Sequence, residues 1–229
     1  MRCHVAFTPA EAVRAELGIV VDVMRATSTI AQALASGYER VLCCADVDDA
    51  RALRQERGDA AITGGERNAE QIEGFDAGAS PREFLEPRAQ TLILSTTNGT
   101  RAIVTAASSC RQVVLGSLLN LAAVADHAHG SGADVVVLCA GFKDAFAIDD
   151  GYCAGRIVAL LDAERTDAAI AAQLIAERYP EPRDGINART YGPPGLEEDI
   201  AWVAQVDALD VVPRFTRMVG PAAEITLGT

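Results

Sequence analysis

Residues 134–139 read DVVVLC and residues 91–95 read TLILS. Neither stretch alternates apolar with polar side chains, as a strand with one wet face would. A short, continuously apolar run fits a strand covered on both faces, and such strands belong to parallel sheets flanked by helices. Working outward, further β-branched runs lie at 18–23, 40–44, 60–63 and 112–115. Helical patterns separate them: 27–36 closed by Gly37, 47–57 closed by Gly58, 99–107, 118–128 and 150–163. A glycine just past a helix accepts the left-handed conformation that ends it. This alternation predicts an α/β fold, a three-layer α/β/α sandwich with a mostly parallel, mixed central sheet.

The C-terminal third changes character. Residues 166–179 read as a helix, YPEPRDGINARTYGPPG (179–195) as a loop rich in Pro and Gly, and 197–204 as a helix again. RFTRMV (214–219) and AEITL (223–227) are expected as strands added antiparallel at a sheet edge. No repeat or linker interrupts the pattern, so residues 1–229 are expected to form one domain.

The net charge of −12 excludes a broad nucleic-acid footprint, which needs a basic face. The six cysteines form no CxxC pair, and Cys43, Cys44 and Cys139 sit in apolar runs, as buried reduced thiols do. The N-terminal MRCHVAFTPAEAV lacks a signal-type apolar core, and no run approaches a membrane span. A cytoplasmic protein with no membrane and no nucleic-acid partner is the expectation. His4, His127 and His129 follow no metal-ligand spacing. GxSxG, GxGxxG, the Walker loop and the DxDx[TV] aspartyl-phosphate pattern are all absent.

In open α/β sheets ligands bind beyond the carboxyl ends of the strands, so polar chemistry at those ends is the informative signal. VVDVMRATST (20–29) brings Asp22, Arg25 and the hydroxyls of Thr27, Ser28 and Thr29 to one strand end. Hydroxyls and N–H groups at a helix start make an anion cradle, to which Arg25 adds a bidentate donor. Asp22 would repel that anion unless a cation lay between them, which points to Mg²⁺. The alternative is a plain cap with Arg25 paired to Asp22. STTNGTRAI (95–103) offers Thr97, Asn98, Gly99 and Thr100 in a turn whose glycine lets backbone approach a ligand. Glu66 and Arg67 follow two glycines as a ligand or base and an anion contact. Beyond DVVVLC come Lys143 and the pair Asp149 and Asp150, which can hold a divalent ion or cap a helix. Ser117 and Asn120 in VVLGSLLN are a weaker candidate.

Taken together, DVMRATST (22–29), GERNAEQIEGFDAGASP (65–81), STTNGTRAI (95–103), GSLLN (116–120) and CAGFKDAFAIDDGYCAG (139–155) resemble the 2-phosphosulfolactate phosphatases of coenzyme M biosynthesis, the ComB family. DVxRATST with TTNGT carries most of the specificity. Two positions depart from the family pattern: Ala79 stands where it usually has Asn, and Asp149 where it usually has Glu. The resemblance implies a Mg²⁺-dependent phosphatase that hydrolyses 2-phospho-3-sulfolactate to sulfolactate and phosphate. Asp22, Arg25, Glu66 and Asp150 are then the expected catalytic set, with Asp22, Glu66 and Asp150 on the metal. Thr27, Ser28, Thr29, Arg67, Thr97, Asn98, Gly99, Thr100 and Lys143 are the expected contacts to a small anionic phosphate ester. Direct attack by water is the favoured mechanism, since no activated nucleophile pattern is visible. A different small phosphate ester, or anion binding without turnover, are the competing readings. The pattern specifies no assembly state; a homodimer is the expectation.

Overall fold

The computed structural model describes residues 1–11, 14–190 and 196–228. Its eleven strands are β1 (Arg2–Ala6), β2 (Ala15–Val21), β3 (Arg40–Cys43), β4 (Ala61–Arg67), β5 (Glu70–Gln71), β6 (Thr91–Ser95), β7 (Cys110–Gly116), β8 (Val135–Cys139), β9 (Glu164–Arg165), β10 (Arg214–Val219) and β11 (Ala222–Thr226). The helices are α1 (Ala26–Ala35), α2 (Val47–Arg57), α3 (Gly99–Ser109), α4 (Leu121–Ser131), α5 (Ile148–Leu160), α6 (Asp167–Arg178), α7 (Pro182–Asn187) and α8 (Glu197–Val203). The strands form one sheet in the order β5-β4-β6-β3-β11-β10-β7-β2-β8-β1-β9.

The double coverage inferred from DVVVLC holds. Leu17, Ile19 and Val21 of β2 and Val135 and Val137 of β8 pack with α4, α5 and α6 on one face. Val20, Val136 and Leu138 pack with Ile30 of α1 and Ile103 of α3 on the other. Leu42 and Ile93 meet Leu53 of α2 in a third cluster. Alternate residues of a strand point to opposite faces, so a strand that is apolar throughout must feed two cores. The result is the expected three-layer α/β/α sandwich around a mostly parallel, mixed sheet.

The sheet has two parallel blocks, β4-β6-β3 and β7-β2-β8-β1-β9. The C-terminal hairpin joins them rather than lying at an edge, as the sequence suggested. β11 pairs antiparallel with β3, and β10 meets β7 through Arg214 and Val114. β11 is buried, while most of β10 stays open to solvent, which is why RFTRMV reads as an edge strand. Three further strands were not evident in the sequence: β1, parallel to β8, and the two-residue strands β5, beside β4, and β9, beside β1. The loop expected at 179–195 contains the short helix α7, and its residues 191–195 lie outside the described residues. Among the described residues no helix is long and apolar enough to cross a membrane.

Candidate active site

The site lies where β2, β4 and β6 end. Asp22 follows β2 directly, and the peptide between Met24 and Arg25 is cis. The Asp22 backbone is fastened by one side chain: its carbonyl accepts Thr27 Oγ1 at 2.9 Å, and its amide donates to that same oxygen at 3.1 Å. The carboxylate is thereby aimed along the start of α3. A Cβ at Gly99 would lie 2.4 Å from Asp22 Oδ2 and 2.3 Å from Ala26 Cβ, so only glycine fits there.

Glu66 comes in from the end of β4. Its Oε1 accepts the Thr97 amide and its Oε2 the Ala69 amide, both at 2.7 Å. Asn68 and Ala69 form the two-residue turn between β4 and β5, each with positive φ. For a residue such as Ala69 that conformation is sterically costly, and it persists here because Glu66 and Arg25 both bind its backbone.

These elements enclose a cavity of about 260 Å³. Asp22, Glu66, Thr97 and Asn98 line it on the strand-end side. Met24, Phe142 and Leu196 supply apolar wall, and Ala79 places a methyl there. Thr97 Oγ1 is buried and has no hydrogen-bond partner among the described residues. An unpaired buried hydroxyl on a cavity wall is a group set aside for a ligand.

Two acids at this strand end are buried, Asp22 and Asp150. Burial pushes the Asp22 carboxyl up to about 7, and the Glu66 charge adds to it; the Ala26 amide opposes the shift. Asp150 is raised well above the usual carboxylate range, first by burial and then by Asp149 and Asp22. Asp150 is not in the cavity wall. Its Oδ1 accepts the Val23 amide at 2.9 Å and its Oδ2 the Gly141 amide at 3.0 Å. It thus ties the end of β2 to the end of β8, one residue beyond Asp22.

Of the residues singled out in the sequence, Asp22, Arg25, Glu66, Thr97 and Asn98 meet in the cavity wall. Gly99 and Thr100 stand just behind it, Thr100 bonded to Thr96. The hydroxyl cluster faces inward: Thr27 holds Asp22, Ser28 Oγ donates to the Val23 carbonyl, and Thr29 Oγ1 donates to the Ala79 carbonyl. Helix α1 is buried at its start, so those hydroxyls must satisfy backbone carbonyls. Arg67 is spent on the Glu66 carbonyl and on Ser95 Oγ. Lys143 is exposed, with Nζ over the Phe142 ring. Asn120 and Ser117 bond one another in a buried turn.

Two charged residues not foreseen, Asp199 and Arg189, come from the C-terminal third. Arg25, read as a partner of Asp22 or of an anion, lines the cavity and pairs with Asp199 of α8 at 2.7 Å. Ser80 Oγ donates to the other oxygen of Asp199 at 2.6 Å. Arg189 lines the cavity beyond α7. The sequence offered no stronger signal for these than an arginine in a loop rich in Pro and Gly and an acid in the helix read at 197–204.

The donor set suits a hard cation. Asp22 and Glu66 offer oxygen atoms alone, and their charges oppose one another across buried space. Among the described residues no three His, Cys, Asp or Glu side chains converge as a ligand set. Two carboxylates are the kind of donor Mg²⁺ takes, the rest of its shell being water and substrate phosphate.

The 2-phosphosulpholactate phosphatase family model matches residues 5–218. A probable 2-phosphosulfolactate phosphatase of Clostridium acetobutylicum is 37% identical over 217 residues, spanning 90% of this chain and 92% of the relative. A second, of Caldanaerobacter subterraneus subsp. tengcongensis, is 36% identical over 208 residues, 86% of each chain. One of Carboxydothermus hydrogenoformans is 34% identical over 223 residues, 93% of this chain and 92% of its own. With the family model spanning almost the whole sheet and relatives alike from end to end, the chain belongs to the 2-phosphosulpholactate phosphatase family.

Proposed function

We propose that the chain hydrolyses 2-phospho-3-sulfolactate to 3-sulfolactate and phosphate with Mg²⁺ as cofactor, a step of the coenzyme M type carried out in the cytoplasm. Membership of the family makes it a phosphoric monoester hydrolase. The observation that carries the fuller reading is the pair Asp22 and Glu66, two carboxylates from different strand ends facing one small cavity beside an unpaired hydroxyl.

Asp22 and Glu66 would hold the ion, which when bound polarises the phosphoryl group and acidifies a water. The protein's own part is orientation. The start of α3 presents its positive dipole end at Asn98, where a phosphoryl oxygen is stabilised. Thr97 Oγ1 donates to a second oxygen. Glu66, fixed through the Thr97 and Ala69 amides, has both oxygens in set positions. Asp150 acts from behind by holding Val23, so that Asp22 does not swing with the turn. Water adds to phosphorus, the ester oxygen leaves with a proton, and phosphate is released. Apolar walls at Met24, Phe142 and Leu196 keep other water out.

The test is phosphate release from 2-phosphosulfolactate, 2-phospholactate and simple monoesters, with Mg²⁺ and with EDTA. Turnover that survives EDTA removes the metal from the reading. Turnover absent on every ester removes the hydrolase itself.

A further inference from the structure

We infer that Arg189 binds an acid group of the substrate that is not cleaved, its carboxylate or its sulfonate, and so selects small phosphate esters that carry a further acid. The inference rests on the phosphatase reading above and names the substrate class that reading serves.

Of Arg25, Arg67, Lys143 and Arg189, only Arg189 both lines the cavity and lacks an ion pair or hydrogen bond with the described residues. Arg25 is 9% exposed and paired with Asp199, itself 7% exposed, so its charge is compensated within the protein. Arg67 donates to Glu66, Ser95 and Ala45 and does not line the cavity. Lys143 is exposed, its ammonium lying 5.3 Å from the centre of the Phe142 ring. Arg189 lines the cavity and has no ion pair or hydrogen bond with any described residue. A guanidinium on a partly apolar wall without a carboxylate partner is poised for an anion from solution.

The phosphoryl group does not need it. The wall of Asp22, Glu66, Thr97 and Asn98 already combines cation-holding carboxylates, a free hydroxyl and a helix start. Arg189 comes from another part of the chain, and Leu196 and Phe142 line the same cavity. An ester whose only charge were phosphate would leave it uncompensated. A ligand with a carboxylate or sulfonate at its other end satisfies it with a planar, two-pronged contact. The cavity, about 260 Å³, is at the small end for ligand pockets and admits only a short spacer between the two acids.

Arg189 is also well founded. Helix α7, which leads into it, packs on α5 through Gly185, where a Cβ would lie 2.5 Å from the Tyr152 ring. Tyr152 is fully buried, and its hydroxyl accepts Arg156 Nη1 at 2.7 Å. On the far side, Leu196 leads into α8, which Asp199 anchors to Arg25 and Ser80.

The experiment compares kcat/KM for 2-phosphosulfolactate with that for isopropyl phosphate, which has no second acid, in wild type, Arg189→Ala and Arg189→Lys. Circular dichroism and melting confirm each fold. In Arg189→Ala the preference for 2-phosphosulfolactate over isopropyl phosphate should fall about thirtyfold, mainly through KM, as loss of a charge-assisted contact predicts. Arg189→Lys should recover part of it, keeping charge but not the fork. An unchanged preference overturns the inference, and so does an equal loss on both esters, which would put Arg189 on the phosphoryl group or in the fold. Calorimetry with 3-sulfolactate, which has no phosphate, gives an independent arm. Wild type should bind it at least tenfold more tightly than Arg189→Ala, and equal binding overturns the inference. If wild type hydrolyses no ester, the phosphatase reading fails and calorimetry alone decides the role of Arg189.

Discussion

Gly99 and Asp22 fit together so closely that a methyl group at position 99 would sit 2.4 Å from Asp22 Oδ2. The first turn of α3 and the acid at the end of β2 are therefore one unit. Gly99→Ala must displace the Asp22 carboxylate or the start of α3. Overpacking of this kind costs about 1–3 kcal/mol. Misplacing a reacting group by an ångström costs about a hundredfold in rate. The variant should melt lower and lose about two orders of magnitude in kcat/KM. A crystal structure should show Asp22 moved while Glu66 stays; full activity would show that Asp22 has no part in the reaction.

Asp22 predicts a pH dependence whose sign can be worked out. Its carboxyl is raised by burial, from 3.8 to about 7 in the folded chain. The folded state then holds a proton that the unfolded chain has released, so stability falls as pH rises between those values. In EDTA the melting temperature should drop between pH 4 and pH 7, and the drop should be shallower in Asp22→Asn. That variant keeps the Thr27 bonds, which use only the Asp22 backbone. Mg²⁺ needs the carboxylate ionised, so its stabilising effect on wild type should be larger at pH 8 than at pH 5. In Asp22→Asn it should be lost, and turnover should fall by about 10²–10⁴. A Mg²⁺ effect that ignores pH would separate Asp22 from the ion.

How much of this was legible in sequence follows from the range of the forces involved. The strands at 91–95 and 134–139 were readable because double burial leaves an uninterrupted apolar run in the chain itself. Asp22, Glu66, Thr97 and Asn98 were readable because a sheet gathers its strand ends on one side. The direction of Thr27, Ser28 and Thr29 was not, because a hydroxyl at a helix start serves a ligand or a buried carbonyl with the same residue type. Nor was the place of the β10–β11 hairpin in the sheet, a slot that exists only once β3 and β7 have formed their blocks. Arg25 and Asp199 are separated by 174 positions, and no local pattern reports such a pair.

Thr97 separates binding from folding. Its Oγ1 is buried without a partner among the described residues, so they gain no internal hydrogen bond from it. Valine has nearly the same shape and removes the unsatisfied oxygen. Thr97→Val should hold or slightly raise the melting temperature, while KM rises about tenfold, the worth of one hydrogen bond to an anion. Loss of stability without a change in KM would mean that the hydroxyl serves the fold and not the ligand.

The pair of Arg25 and Asp199 is the last test, because it decides how α8 takes part in the site. Both side chains are almost fully buried, and Asp199 also accepts Ser80 Oγ. Removing one member of a buried pair strands the other charge and costs about 3–5 kcal/mol. Asp199→Ala should therefore destabilise the protein strongly in denaturant melts. It should also release Arg25 into the cavity and move Leu196, raising KM for phosphate esters. Asp199→Asn keeps an acceptor for Arg25 and should lose about half as much stability. The two variants should rank in that order for both stability and KM. If Asp199→Ala unfolds earlier yet binds substrate normally, α8 is a brace for the fold alone.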